Sequence, residues 1–280
     1  MPAIVNDAFV VKSKSTKSLL EQYRQKSQEL LPELSYERVV LPEVQLTELT
    51  HLKETIQYER FFFVVDLQKM EIRNISGVAR WLGYHESDFN FYKYLKIVHP
   101  AHVTTHTIAS MSMLEGLMKG QLAIEFMKHR YVTLIALQHK NGHYLLCKRL
   151  ACVFQVDPQK RLLEYINEFT VISRHNEEPF AVMPASDEGE NKEWLTELMK
   201  HAKNFFQGKN FFSVQELRIL RKYAYDKNIS LEQIANSINV EKSSVMTYNK
   251  RILEKAADLC SKRFSNAREV GLALKEAGLL

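Results

Sequence analysis

The side chains whose types and spacing suggest a specific chemistry lie on one helix, predicted from about Lys242 to Ala256. Its polar side carries hydroxyl, thioether and basic groups at Ser243, Met246, Thr247 and Lys250, with Arg251 beside them. Its other side carries apolar residues at helical spacing, namely Val245, Ile252, Leu253 and Ala256. A helix with one buried stripe and one basic, hydrogen-bonding stripe has the groups needed to contact base edges and phosphates in a major groove.

Two helices predicted before it would position this helix. The first runs from about Val214 to Tyr225, and the second begins at Ser230 after a polar break. Ser230 and Gln233 have the spacing of a capping box, in which each side chain satisfies a backbone N–H at the helix start. A short turn then leads to the third helix, so the layout predicts a helix-turn-helix. A further helix is predicted from Ala267 to Glu276.

This segment, residues 212–256, resembles the LuxR/NarL-type DNA-binding domain. The resemblance is carried by Phe212–Glu216 at the first helix, Ile234-Ala235 on the second, and Ser244–Tyr248 and Arg251–Ala256 on the third. The chain departs from the family pattern at Gln215, Met246 and Tyr248, where the family has Arg, Lys and His. The resemblance implies an all-α domain that binds double-stranded DNA as a homodimer. In that domain Lys255 joins the polar side described above as a DNA contact.

A second unit, residues 59–172, has the pattern of an antiparallel sheet interrupted by helices. Two strand-like runs come first, and several short helical patterns follow them. Three long strand-like runs come last, at about Val132–His139, Tyr144–Val156 and Arg161–Ile172. Asn-Gly and Asp-Pro turns between these runs are hairpin signals. The order predicts a five-stranded antiparallel sheet with short helices.

This second unit resembles a PAS domain. The resemblance is carried by Phe63–Asp66, Trp81–Tyr84, Ile97–Pro100 and Gln138–Tyr144, in that order. It implies a sheet that cups short helices over an apolar cavity, which is either filled by side chains or able to take a small apolar molecule. We expect this cavity to be lined by residues such as Phe63, Val65, Ile135 and Leu146. The predicted fold class is therefore α+β, a PAS-like sheet plus an all-α LuxR-type unit.

No cofactor, metal or catalytic residue is expected from the sequence. Neither Cys147 nor Cys152 lies on a helix, where the flavin-binding members of the PAS family need a cysteine. His106 is a candidate axial ligand for haem, and His99, His102 and His106 are spaced three and four apart like zinc ligands. Pro100 places His99 outside that helical register, and ordinary polar helix residues are the favoured interpretation. The chain also contains no phosphate-binding loop, nucleophile elbow or acidic pair in a catalytic motif.

The predicted organisation has four parts. Residues 1–58 form a helical extension, 59–172 the PAS-like unit, 173–207 a linker with an amphipathic helix, and 208–280 the DNA-binding unit. The amphipathic helix carries a broad apolar stripe, which must be buried against something. We expect a dimer contact there, with packing on the DNA-binding unit as the alternative. The residues of this stripe are Trp194, Leu195, Leu198, Met199 and Ala202.

Composition agrees with a folded cytoplasmic protein. The chain has 280 residues and 45% hydrophobic content, and no apolar run or leader pattern indicates a membrane span or export. The net charge is +5, and from Glu216 to the end twelve basic residues face eight acidic ones, 12 − 8 = +4. The prediction is a transcription regulator and not an enzyme. Two alternatives stay open: an adaptor whose helix-turn-helix binds protein, and a haem or flavin enzyme that uses the cavity.

Overall fold

The computed structural model describes residues 16–32, 37–56, 59–176, 181–182, 190–208, 211–226, 228–259 and 264–280. Two helices come first, α1 (Thr16–Leu30) and α2 (Pro42–Thr55). The sheet then begins with β1 (Arg60–Asp66) and β2 (Glu71–Ser76). The helices α3 (Val78–Leu82), α4 (Phe91–Ile97) and α5 (Pro100–Met118) follow, with a 3-10 turn at Glu86–Asp88. The sheet continues with β3 (Arg130–Gln138), β4 (Tyr144–Val156), β5 (Leu162–Arg174) and β6 (Ala181–Val182). Five helices end the chain: α6 (Glu190–Gly208), α7 (Val214–Tyr225), α8 (Leu231–Ser237), α9 (Lys242–Leu259) and α10 (Ala267–Glu276).

The strands form one sheet in the order β2-β1-β5-β4-β3-β6, with every neighbouring pair antiparallel. The five long strands of the prediction are present, and the α+β fold class is confirmed. The sixth strand is two residues long and pairs with Thr133 and Leu134 at the edge of the sheet. It lies inside the segment predicted as a linker, so part of that segment extends the sheet instead.

Both faces of the sheet are covered, which explains why β1 is buried along almost its whole length. On the inner face Phe61 stacks on Phe169, with ring centroids 4.6 Å apart. Helices α1, α4 and α5 lie over this face and share its apolar core. On the outer face, Leu49 and Leu52 of α2 pack against a smaller cluster that includes Phe62. Both helices of the predicted N-terminal extension therefore pack on the sheet, and we call α1 to β6 the sheet unit.

Helices α7 to α10 form the helical unit. Both α7 and α8 begin with a capping box, from Ser213 and Glu216 in the first and from Ser230 and Gln233 in the second. The second of these boxes was predicted from the sequence. Helix α10 packs on α7 at Gly271, where a Cβ atom would lie only 2.7 Å from the Leu220 carbonyl oxygen. A glycine is therefore needed for the two helices to approach this closely.

Helix α6 joins the two units, and its apolar stripe is buried within the chain. Leu198 and Ala202 are 1% and 0% exposed, and Trp194 and Leu195 are also buried. Of the residues predicted to form a dimer contact, Trp194, Leu195, Leu198 and Ala202 are thus buried by packing inside one chain, and Met199 is half-buried. Near the end of α6, Phe206 contacts the rings of Phe211 and Phe212. No helix in the described part of the chain combines the length and apolarity needed to cross a membrane.

Candidate nucleic-acid interface and sensor cavity

The polar side of α9 faces away from the helical unit, as the sequence predicts. Ser243, Thr247, Lys250 and Arg251 are exposed, and Met246 is 58% exposed. Three residues of the opposite side are fully buried and fix the rotation of the helix, namely Val245, Ile252 and Ala256. The Asn249 amide also donates to Tyr223 Oη at 2.8 Å and ties α9 to α7. Four of the six predicted DNA contacts therefore share one exposed face at helical spacing, and Arg251 lies next to them.

Lys255 is the predicted DNA contact that the structure places differently. Its Nζ lies 2.6 Å from Glu216 Oε2, and the Glu216 side chain is 2% exposed. The same Glu216 oxygen accepts the backbone N–H of Ser213 at 2.6 Å. A buried carboxylate needs such partners to offset the loss of hydration. Lys255 therefore has a structural partner inside the helical unit.

The other basic residues of the helical unit are also of two kinds: some form hydrogen bonds within the unit, and others are exposed. Arg268 donates to the carbonyl oxygens of Asp226 and Ile229, and Lys275 donates to that of Ala224. A second set is exposed on α7 and α9. That set comprises Arg218, Arg221, Lys222, Lys242, Lys250 and Arg251. The exposed set, and not the total excess of +4, is the charge available to neutralise phosphates.

A cavity of about 60 Å³ lies between the inner face of the sheet and helices α1, α4, α5 and α6. Its wall is mainly apolar and aromatic, with contributions from Tyr23, Phe91, Tyr131 and Trp194. Buried polar side chains also contribute to this wall, among them His106, Arg149 and Tyr165. The residues predicted to line the cavity, Phe63, Val65, Ile135 and Leu146, are buried elsewhere in the sheet unit and are not part of its wall.

Burial dominates the electrostatics of this cavity. The pKa values of Tyr23, Tyr131 and Tyr165 are raised because the phenolate form would lose its hydration, and the positive Arg149 opposes that effect. The pKa of His106 is well below its ordinary value of 6.5, because of burial first, then Arg149, then His102. His106 therefore stays neutral, with Tyr94 Oη 3.3 Å from Nε2 and Ser110 Oγ 3.3 Å from Nδ1.

The neutral His106 makes the sheet unit sensitive to acid. The unfolded chain takes up a proton near the ordinary pKa of 6.5, whereas the folded chain resists it. The stability that depends on neutral His106 is therefore complete above pH 6.5. It is lost as the pH falls below that value, by at most about 1.4 kcal/mol per pH unit. His106→Gln is expected to remove this part of the slope, as measured by urea denaturation from about pH 7.5 to about pH 5.

His85→Gln is the matched control, because His85 is exposed. That variant should keep the wild-type slope. Some acid sensitivity should remain even after His106→Gln, since burial also lowers the pKa values of His139 and His201. Equal slopes for wild type and His106→Gln would contradict the prediction.

The histidines considered as metal ligands are arranged differently from the sequence pattern. His99 and His102 meet His175 at the end of β5, with ligand atoms within 4.8 Å of one another, and His106 lies apart from them. His99 Nδ1 accepts the Ala101 N–H, and His102 Nδ1 accepts the Ala136 N–H. These bonds leave the proton of each neutral ring on Nε2. A metal ligand needs a lone pair at that atom, so this hydrogen bonding opposes metal binding.

Helix α6 connects the cavity with the helical unit. Trp194 stacks on His129 and donates its indole N–H to the Ala123 carbonyl at 3.0 Å, and Leu198 forms part of the cavity wall. One turn further, Gly116 of α5 allows His201 of α6 to approach it closely. Met199 lies against Gly278, just after α10. Displacement of α6 at the cavity would therefore also disturb its contact with the helical unit.

Comparison with known proteins gives similarity in structure only, since no protein family and no curated protein matches the chain. A PAS/PAC sensor domain of a diguanylate cyclase from Marinobacter aquaeolei is similar with a TM-score of 0.33 and 14% identity, over 41% of this chain and 95% of that one. A phage VqmA–DPO complex has a TM-score of 0.30 and 10% identity, over 83% and 89%. The Vibrio cholerae VqmA dimer has a TM-score of 0.28 and 11% identity, over 84% and 88%. Similarities this low do not establish what this chain binds.

Proposed function

We propose that this protein is a transcription regulator that binds duplex DNA through α9 and whose DNA binding depends on occupancy of the cavity. The observation that carries the proposal is the exposed face of α9. It presents Ser243, Met246, Thr247 and Lys250 at helical spacing, and its rotation is fixed by the buried residues behind it. In a helix-turn-helix, the recognition helix enters the major groove, and α9, the third helix of the helical unit, holds that position. The resemblance to LuxR/NarL-type domains agrees with this role.

The coupling between the two units is proposed to run through α6, which lines the cavity and contacts both units. A ligand shifts an equilibrium only if it binds one conformation better than the other. A molecule that fills the cavity would fix the wall formed by Trp194 and Leu198, and with it the position of α6. We further propose a homodimer that places two helical units on half-sites about one helical turn apart. We propose that its contact uses surfaces other than the stripe of α6, since that stripe is buried within one chain.

A second candidate function is an adaptor whose helical unit binds protein. It is favoured by exposed apolar side chains on that unit, since Val214, Tyr225 and Met246 are 68%, 63% and 58% exposed. The two functions differ in their response to salt. Binding to DNA releases counterions, so its affinity must fall steeply as salt rises. Binding to duplex DNA that salt does not weaken, or no binding at all, would favour the adaptor.

Lys250→Ala is expected to weaken binding to duplexes selected from a random pool. If Lys250 contacts a base, the loss should be about 1–3 kcal/mol and specificity should relax at one position. If it contacts a phosphate, the loss should be equal for all sequences and the salt slope should fall by about one. Fluorescence anisotropy at several salt concentrations separates these outcomes.

The control is Lys192→Ala, which removes an exposed lysine of α6 that is not among the predicted DNA contacts. It should leave both the affinity and the salt slope unchanged. Circular dichroism of each variant establishes that the helices are intact. If a folded Lys250→Ala protein binds DNA as tightly as wild type, α9 is not the DNA-reading helix.

A further inference from the structure

Arg149 on β4 is a buried cation in the cavity wall without an anion beside it. The residue is 4% exposed, and a guanidinium stays charged at physiological pH. Its Nε donates to Asn167 Oδ1 at 2.7 Å. Among the residues that the structure describes, no carboxylate forms an ion pair with Arg149, and its Nη1 has no hydrogen-bond acceptor. Burying such a group is costly unless a partner satisfies it.

In the described part of the chain, three residues close to Arg149 on the sheet also carry polar atoms that lack a hydrogen-bond partner. Within the described ranges, Tyr131 Oη, Thr133 Oγ1 and Asn167 Nδ2 are also buried without a hydrogen-bond partner. Thr133 lies directly opposite Arg149 in the β3–β4 pair, and Tyr131 and Asn167 lie on the two sides of Ala151, two residues further along β4. All of these groups are able to donate a hydrogen bond. An acceptor bound beside Arg149 and Tyr131, which both line the cavity, would satisfy donors of this kind.

We infer that the cavity binds a compact monocarboxylate, with its carboxylate held by Arg149 and its short apolar body packed on the aromatic wall. The inference rests on the proposed sensor role of the cavity. The planar guanidinium matches a carboxylate through two parallel N–H···O bonds. One fixed positive charge balances one negative charge, whereas a doubly charged phosphate would leave a net charge buried. Tyr131, which also lines the cavity, offers a further donor to the same group.

The size of the cavity limits the body of the ligand. A volume of about 60 Å³ holds only a few water-sized groups, since each needs roughly 10–15 Å³ in this measure. That suits a carboxylate with a short chain, and excludes a long acyl chain. Most of the wall around it is apolar, so the chain loses no hydrogen bonds on entering.

The test is calorimetric titration of the full chain with butyrate and with butyramide, which share a shape and differ in charge. Butyrate should bind at least about tenfold more tightly, the usual effect of a charge-assisted pair. Arg149→Met should abolish this preference. Arg149→Lys, which keeps the charge and loses the planar fork, should retain part of it. Tyr131→Phe should weaken butyrate several-fold and leave butyramide less affected.

Thermal denaturation is a second test, and it distinguishes an arginine that binds the ligand from one that only stabilises the fold. Without ligand, Arg149→Met should melt at or above the wild-type temperature, because it removes an unneutralised buried charge. With butyrate, wild type should gain stability and Arg149→Met should not. A structural arginine would give the opposite result, a lower melting temperature for Arg149→Met and no butyrate effect in either protein.

The inference is overturned if butyrate and butyramide bind equally, or if neither binds at millimolar concentrations. In that case the polar groups are satisfied by water. DNA binding is measured separately, so the two ideas fail independently. DNA binding without any carboxylate preference removes this inference and leaves the regulator proposal standing. Carboxylate binding by a chain that does not bind DNA keeps this inference as a binding site and removes the regulator role on which it rests.

Discussion

Replacing Phe63 by alanine is expected to lower the free energy of unfolding of the sheet unit by about 3–5 kcal/mol. Phe63 is 0% exposed, and its ring contacts those of Phe89, Tyr94 and Phe169 at centroid distances of 5.8, 5.1 and 5.4 Å. The substitution loses both the buried area and these ring contacts, and leaves a void that a packed core fills only in part. Urea denaturation followed by tryptophan fluorescence measures the loss.

Both tryptophans report on this region, since Trp81 is on α3 and Trp194 contacts the cavity wall. Tyr92→Ala is the matched control, because it truncates an aromatic residue that is 37% exposed on α4. We expect it to cost less than about 1 kcal/mol. If Phe63→Ala is as stable as this control and loses ligand binding instead, Phe63 lines the binding site after all.

Phe63 also shows which features of the fold can be predicted from the sequence and which cannot. The continuous apolar run around it correctly predicts a buried strand, and the turns at residues 140–142 and 157–159 correctly separate the long strands. The pattern does not distinguish a side chain that fills the core from one that borders a cavity, because both positions are equally apolar. That distinction depends on how closely α4 and α5 approach the sheet, which is decided by the whole packing arrangement.

Arg149 is a cavity residue that was not predicted from the sequence. It occupies the same side of β4 as the inward-facing Cys147, Ala151 and Val153, in a strand that is otherwise apolar on that side. A charged residue at an inward position breaks the expected pattern and is costly, so such positions are candidates for function. Alternation places one basic residue on each side of this apolar strand, Lys148 and Arg149, and does not show which of the two points inward. The partners Thr133 and Asn167 depend on strand register, which the sequence does not give.

The helical unit was easier to predict because its signals are local. Helices α7 and α10 begin and end at the predicted residues, and the capping box at Ser230 lies where the spacing places it. Capping boxes and apolar spacing act over three to eight residues, so they are visible without tertiary contacts. The role of Lys255 is not visible from local signals, since its ion-pair partner Glu216 lies on another helix, α7. A basic residue at the edge of the polar face therefore looked like a DNA contact.

Leu198→Asp is expected to destabilise the protein by several kcal/mol, because it removes a buried apolar side chain and places a carboxylate at a position from which water is excluded. Leu198 is 1% exposed, and Ala202 and Phe206, four and eight residues later, are 0% and 1% exposed. These three residues form the side of α6 that is covered by the rest of the same chain. The charge should separate α6 from α5, open the cavity wall and remove any effect of a cavity ligand on DNA affinity.

Sedimentation distinguishes this packing from a dimer seam. If the stripe of α6 is covered within one chain, Leu198→Asp lowers stability and leaves the oligomeric state of the folded protein unchanged. If the stripe joins two chains, the variant keeps its stability and sediments as a monomer. Thr196→Asp introduces the same charge at an exposed position of α6 and should change neither quantity. Leu198→Ala gives a milder test at about 2–5 kcal/mol, since it removes the apolar contact without adding a charge.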